Sequence, residues 1–158
     1  MRGNWLSGIY IVIIVLMLAP VTGCSDSGYL AEKLFWQAQQ KMKYISEKGL
    51  HDLDDKDYAA IIEAYGKVVD AAPLQPVAAK AQFVIADTYA AWGKYRESQD
   101  ELEEIIHNFS ATPDIAARAQ FAIGKLYEAQ DKWDQALREY DKLLDLYPLT
   151  SVGLDTPL

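Results

Sequence analysis

Cysteine is almost missing from this chain. Cys24 is the single thiol in 158 residues, so no disulfide can form within the chain. Histidine is nearly as scarce, with His51 and His107 alone, which excludes the usual Cys/His zinc sites. Positive charge is also short, with 15 Lys and Arg against 23 Asp and Glu, and a general nucleic-acid binder would need a basic face. No Gly-rich phosphate loop, nucleophile elbow or HExxH helix occurs. Apolar residues at 51% and charged residues at 24% nevertheless describe a folded chain, of a length suited to one domain.

The first 23 residues read as an address. Arg2 is the only charged side chain before Asp26, and the apolar run Ile9–Ala19 falls short of the roughly 18–20 residues of a spanning helix. A positive start, an apolar core and small residues before a cut site make a signal peptide; the competing reading is an uncleaved anchor. The segment Val21-Thr22-Gly23-Cys24 resembles the lipobox of bacterial lipoproteins. That resemblance implies a diacylglycerol on the Cys24 thiol, cleavage before Cys24 and an acyl group on the new amino terminus. Apart from that covalent lipid, no cofactor is expected. Two or more acyl chains hold firmly where one binds marginally. Ser25 after the cysteine implies, by the same resemblance, the outer membrane facing the periplasm. Residues 24–28 are read as a lipidated tether. Removing residues 1–23 leaves 14 basic against 23 acidic side chains.

From Tyr29 onward apolar residues recur at i, i+3, i+4 and i+7, which predicts helices near 29–48, 56–72, 76–92, 95–109, 114–130 and 133–147. Pro and Gly fall between them. Laying Ala78–Ser110 over Ala116–Pro148, an offset of 38, matches Gln82 with Gln120, Phe83 with Phe121, Tyr89 with Tyr127 and Glu101 with Glu139. Such units cannot bury their apolar faces alone and must stack.

Ile123-Gly124-x-x-Tyr127 followed by Ala136, Tyr140 and Pro148 resembles the tetratricopeptide repeat. Ile85-Ala86-x-x-Tyr89 gives a second copy, in which Ser98 and Leu102 replace the small and aromatic residues. Tyr65, Val68 and Pro73 resemble part of a third, with Gly49–Asp57 as an insertion. The resemblance implies an all-α fold: about three helical hairpins over residues 29–148, stacked in a short right-handed solenoid. It sets Gly124 opposite Ala136 at the helix crossing. It also implies a groove lined by the first helix of each hairpin, carried here by Lys80, Phe83, Asp87 and Ala90, then Arg118, Phe121, Lys125 and Glu128. Lys80 and Arg118 would then be a basic pair facing a partner carboxylate, or else ordinary solvated residues.

The cluster His51-Asp52-Leu53-Asp54-Asp55 could be a metal or acid–base site, but a solvated loop that starts the next helix accounts for it better. No enzymatic activity is expected. Tyr44, Tyr58, Tyr65, Tyr89, Tyr95, Tyr127, Trp133, Tyr140 and Tyr147 sit mostly at core spacing. Phe35 and Trp36 are adjacent, so one faces the core and the other a neighbouring element or partner. Residues 149–158 show no amphipathic helix and read as a tail or the start of a missing repeat, leaving the last apolar face to a partner or a second copy. The whole resembles the repeat lipoproteins of outer-membrane β-barrel assembly. It also resembles the periplasmic repeat proteins that coordinate Tol-Pal with cell-wall synthesis. A scaffold that binds envelope proteins or peptide segments is therefore expected; the alternatives are pilus or secretion-system assembly and accessory work in cell-wall synthesis.

Overall fold

The computed structural model describes residues 25–47, 49 and 53–155. Cys24, the leader, His51 and Asp52 lie outside the described residues. Seven helices and no strand occur among the described residues: α1 Ser25–Ser46, α2 Asp55–Ala71, α3 Pro76–Ala91, α4 Tyr95–Asn108, α5 Pro113–Glu128, α6 Trp133–Leu146 and α7 Ser151–Asp155.

Several helices have a chemical start or stop. Asp54 caps α2, its carboxylate accepting from the Lys56 and Asp57 amides at 2.9 Å, while Asp57 accepts from the Asp54 amide. This reciprocal cap satisfies amides that the first turn leaves orphaned. Pro76 and Pro113 open α3 and α5, where a missing N–H costs nothing. After α3 and α5 the chain turns in the left-handed region, at Gly93 with φ 78° and at Asp131 with φ 57°.

From α1 to α6 each helix packs on the next, and α1, α3, α5 and α7 also touch in succession. The fold is a solenoid of tetratricopeptide-type hairpins: α1–α2, α3–α4 and α5–α6, with α7 opening a further turn. Helix α3 belongs to two cores. Val77, Ala81 and Ile85 join Ala31, Ala38, Ile45, Tyr65 and Val68, whereas Ala79 and Ala86 join Leu102, Ile105, Phe109 and Ile123. That double duty is why α3 is apolar nearly all round, while α4 and α6 keep a wet face.

Four expectations are corrected. Residues 25–28 form the first turn of α1 rather than a tether, with Gly28 partly buried beside the Gln75 side chain. Asp55–Asp57 belong to α2, because the Asp54 cap starts the helix two residues before the insertion was expected to end. The Gly49 turn still makes the α1–α2 link the longest within a hairpin. Residues 151–155 are helical: Thr150 accepts from the Gly153 amide at 3.1 Å, and α7 covers part of α5. Tyr44, Tyr95 and Trp133 face solvent, contrary to the core reading. Tyr95 and Trp133 are the first residues of their helices, ahead of the packed seam.

The adjacent aromatics separate as their spacing demands. Phe35 meets Tyr65 edge-on at 5.6 Å, and Trp36 points outward. Trp92 is pinned between elements, stacked on Tyr58 at 5.4 Å with its Nε1 donating to Asp55 Oδ1 at 2.8 Å.

Candidate docking groove

Two adjoining hollows run between α3 and α5. The larger, of about 560 Å³, is lined by Phe83, Asp87, Arg118, Phe121, Ala122, Ser151 and Val152. The smaller, of about 300 Å³, shares Asp87, Phe121 and Ala122 and adds Ala90, Ser98, Leu102, Lys125, Leu126 and Ala129. Most of their residues come from successive turns of α3 and α5, the i, i+3/i+4 geometry of a helix surface, while Ser98 and Leu102 come from α4 and Ser151 and Val152 from α7.

The walls are apolar rings with charges at the rim. The Arg118 guanidinium lies 5.0 Å from the Phe83 ring centre, a cation–π contact that holds the charge over the hollow. Phe121 packs on Tyr140 at 5.4 Å. Tyr140 donates its hydroxyl to Glu128 Oε1 at 3.0 Å, and Glu128 pairs with Lys125. Lys125 holds the Glu128 carboxyl below its ordinary range, while burial and then Glu128 push the Tyr140 phenol up. Asp87 reaches solvent at its edge, yet desolvation by the groove walls pushes its carboxyl above the usual carboxylate range. A polar or cationic group on a partner would relieve that cost.

Of the residues carried over from the repeat pattern, Phe83, Asp87, Ala90, Arg118, Phe121 and Lys125 line these hollows. Lys80 is exposed and Glu128 half-buried, and neither lines them. Arg118 is thus the groove's basic residue on its α7 side, without Lys80 as a second wall residue. Ser151 and Val152 were not anticipated. Their signal was the offset itself, since Pro113 plus 38 gives Ser151, the first residue of α7.

A second feature went unread although its residues were matched. Gln120, buried, donates to Glu139 Oε2 at 2.8 Å, tying α5 to α6. Gln82 and Glu101 are bonded in the same places of the previous hairpin. In these two hairpins the first helix is therefore stitched to the second by one buried amide.

The chain's own repetition has an outside counterpart. Residues 118–150 match the family model of the tetratricopeptide repeat. This segment spans most of α5, all of α6 and the turn before α7. Tetratricopeptide repeats are generally protein-interaction scaffolds and not enzymes, which supports a scaffold here. No curated protein matches the chain. No group of three or more potential metal ligands gathers among the described residues, and no described helix is long and apolar enough to cross a membrane. Asp54 and Asp55 are engaged as a helix cap and as the acceptor for Trp92.

Proposed function

We propose that this protein is a membrane-anchored scaffold of the bacterial envelope, which holds a partner protein segment in the α3–α5 groove. The observation that carries the docking reading is the hollow walled by Phe83 and Phe121 with Arg118 across its rim. An apolar side chain would enter between the rings and a partner carboxylate would meet the guanidinium. The anchor is the lipid on Cys24, supported by the lipobox-like segment Val21–Cys24 behind an apolar leader. Within this reading the protein faces the periplasm at the outer membrane, and its clients belong to outer-membrane protein assembly or envelope maintenance.

Co-purification from envelope extracts tests the docking, with Arg118→Glu as the groove variant because Arg118 is exposed and no core depends on it. Recovery of the partner should fall about tenfold or more, as for a central charged contact. Barrel-assembly proteins in the eluate would support the proposed pathway, and secretin or pilus proteins would move the scaffold to the other. Equal recovery of every protein by both forms would overturn the groove. Labelling with an alkyne fatty acid tests the anchor: it should vanish in Cys24→Ala, and persistent labelling would defeat the assignment.

A further inference from the structure

The outward face of α1 combines exposed aromatic rings with lysines. Tyr29, Trp36 and Tyr44 are 74%, 60% and 71% exposed. At about 100° per residue they fall on one stripe of the helix, roughly opposite the Ala31, Ala38 and Ile45 seam that packs inward. Lys33 and Lys43 lie within the stripe, Lys41 lies at its flank near Glu63, and Gln40 completes it. Of the two carboxylates of α1, Glu32 sits at the margin and Asp26 is the second residue of the helix. Residues 25–48 carry four Lys against three carboxylates, whereas residues 55–155 carry ten basic against eighteen acidic side chains.

We infer that this face of α1 lies along an anionic phospholipid surface, with Tyr29, Trp36 and Tyr44 among the headgroups and the lysines over the phosphates. Tyr and Trp have an apolar ring and a polar tip, and concentrate at that depth. Protein interfaces favour Arg and are depleted in Lys; α1 has three Lys and no Arg. Each lysine near an anionic surface adds roughly fivefold to its attraction. The inference rests on Cys24 as the anchor. Helix α1 begins at the next residue, so the bilayer is held beside the stripe at high effective concentration, and a weak attraction suffices to lay it down. Its length from Tyr29 to Tyr44, about 22 Å at 1.5 Å per residue, matches a helix lying in the interface.

The experiment uses the acylated chain, purified from membranes and reconstituted in phosphatidylethanolamine/phosphatidylglycerol vesicles that carry a lipid brominated high on its acyl chains. Tryptophan quenching should fall about twofold or more in Trp36→Phe and stay unchanged in Trp133→Phe, which alters the far end of the array. It should also fall in the triple variant Lys33→Gln, Lys41→Gln, Lys43→Gln, and when phosphatidylcholine replaces phosphatidylglycerol. Protein that floats with the vesicles while Trp36 stays unquenched would overturn the inference alone, and would return the stripe to a protein partner. Protein that does not float would defeat the anchor and the inference together.

Discussion

At the crossing of α3 and α4 stand Ala86 and Leu102; at the matching crossing of α5 and α6 stand Gly124 and Tyr140. The larger ring is admitted by deleting a methyl group across from it. A Cβ built on Gly124 would lie 2.3 Å from Tyr140 Cε1, with two more ring atoms within 2.8 Å. The repeat therefore specifies the space at a crossing and leaves its division between two positions open. What the second hairpin gains is polar reach, because the Tyr140 hydroxyl passes the crossing and bonds Glu128 beside Lys125 at the groove. Leu102 cannot do this. The two hairpins share a backbone plan, but only one couples its crossing to the candidate docking surface.

The comparison breaks most sharply at Gly124. Gly124→Ala should cost about 2 kcal/mol, because overpacking outweighs the gain in helix propensity. Urea denaturation measures it. Adding Tyr140→Leu recreates the Ala86/Leu102 pair and should restore most of the loss. If the double variant were as unstable as the single one, the two crossings would not be interchangeable.

That pair also marks how far the sequence could be read. The helices were legible because apolar spacing records which face is buried, and most of their ends were marked by Pro and Gly, whereas the Asp54 cap emerged only in the structure. The matched positions located most of the groove, since equivalent residues of stacked repeats line one surface. Gly124 was read as facing Ala136; the atoms nearest its missing side chain belong to Tyr140, one turn further along α6. Spacing gives the face of a helix but not the direction a large ring takes. The first turn of α1 was hidden for a different reason, since Ser25, Asp26, Ser27 and Gly28 have no apolar pattern, and only Gly28 is seen to lie beside Gln75. Five residues of α7 are too few to show a period. The stitching amides Gln82 and Gln120 were visible as a match, but a buried Gln and an exposed one look alike in one dimension.

A smaller contrast lies in the turns after α3 and α5. Gly93 and Asp131 both take a left-handed φ, and the turn is otherwise the same, with Lys94 N–H donating to Tyr89 O and Lys132 N–H to Tyr127 O. Glycine adopts that conformation freely, whereas a residue with a Cβ does so under steric cost. Asp131→Gly should stabilise the protein by about 0.5–1 kcal/mol, seen as a raised urea midpoint. No gain would mean that the Asp131 side chain offsets the strain of its backbone.

The finest difference is a charge reversal beside the stitching carboxylates. Glu139 is clasped by Lys142, with Nζ 2.8 and 2.9 Å from its two oxygens, while the position matching Lys142 in the earlier hairpin is Glu104. Burial, then Glu104 and Asp100, push the Glu101 carboxyl above its ordinary value of 4.5, against the bond from Gln82. A raised folded-state pKa means that the folded protein holds this proton more tightly than the unfolded chain. The contribution is full below the unfolded value and is lost as pH rises through the folded one, so at neutral pH Glu101 is a net burden. Glu104→Lys removes the repulsion and supplies the clasp seen at Glu139. It should stabilise by about 0.3–0.5 kcal/mol at neutral pH, the size of an exposed pair one helical turn apart. The gain should shrink as pH falls through the range in which Glu101 takes up its proton, because a neutral acid gains nothing from a lysine. Urea midpoints at neutral and acid pH give both numbers, and a gain independent of pH would show that Glu104→Lys acts through something other than Glu101.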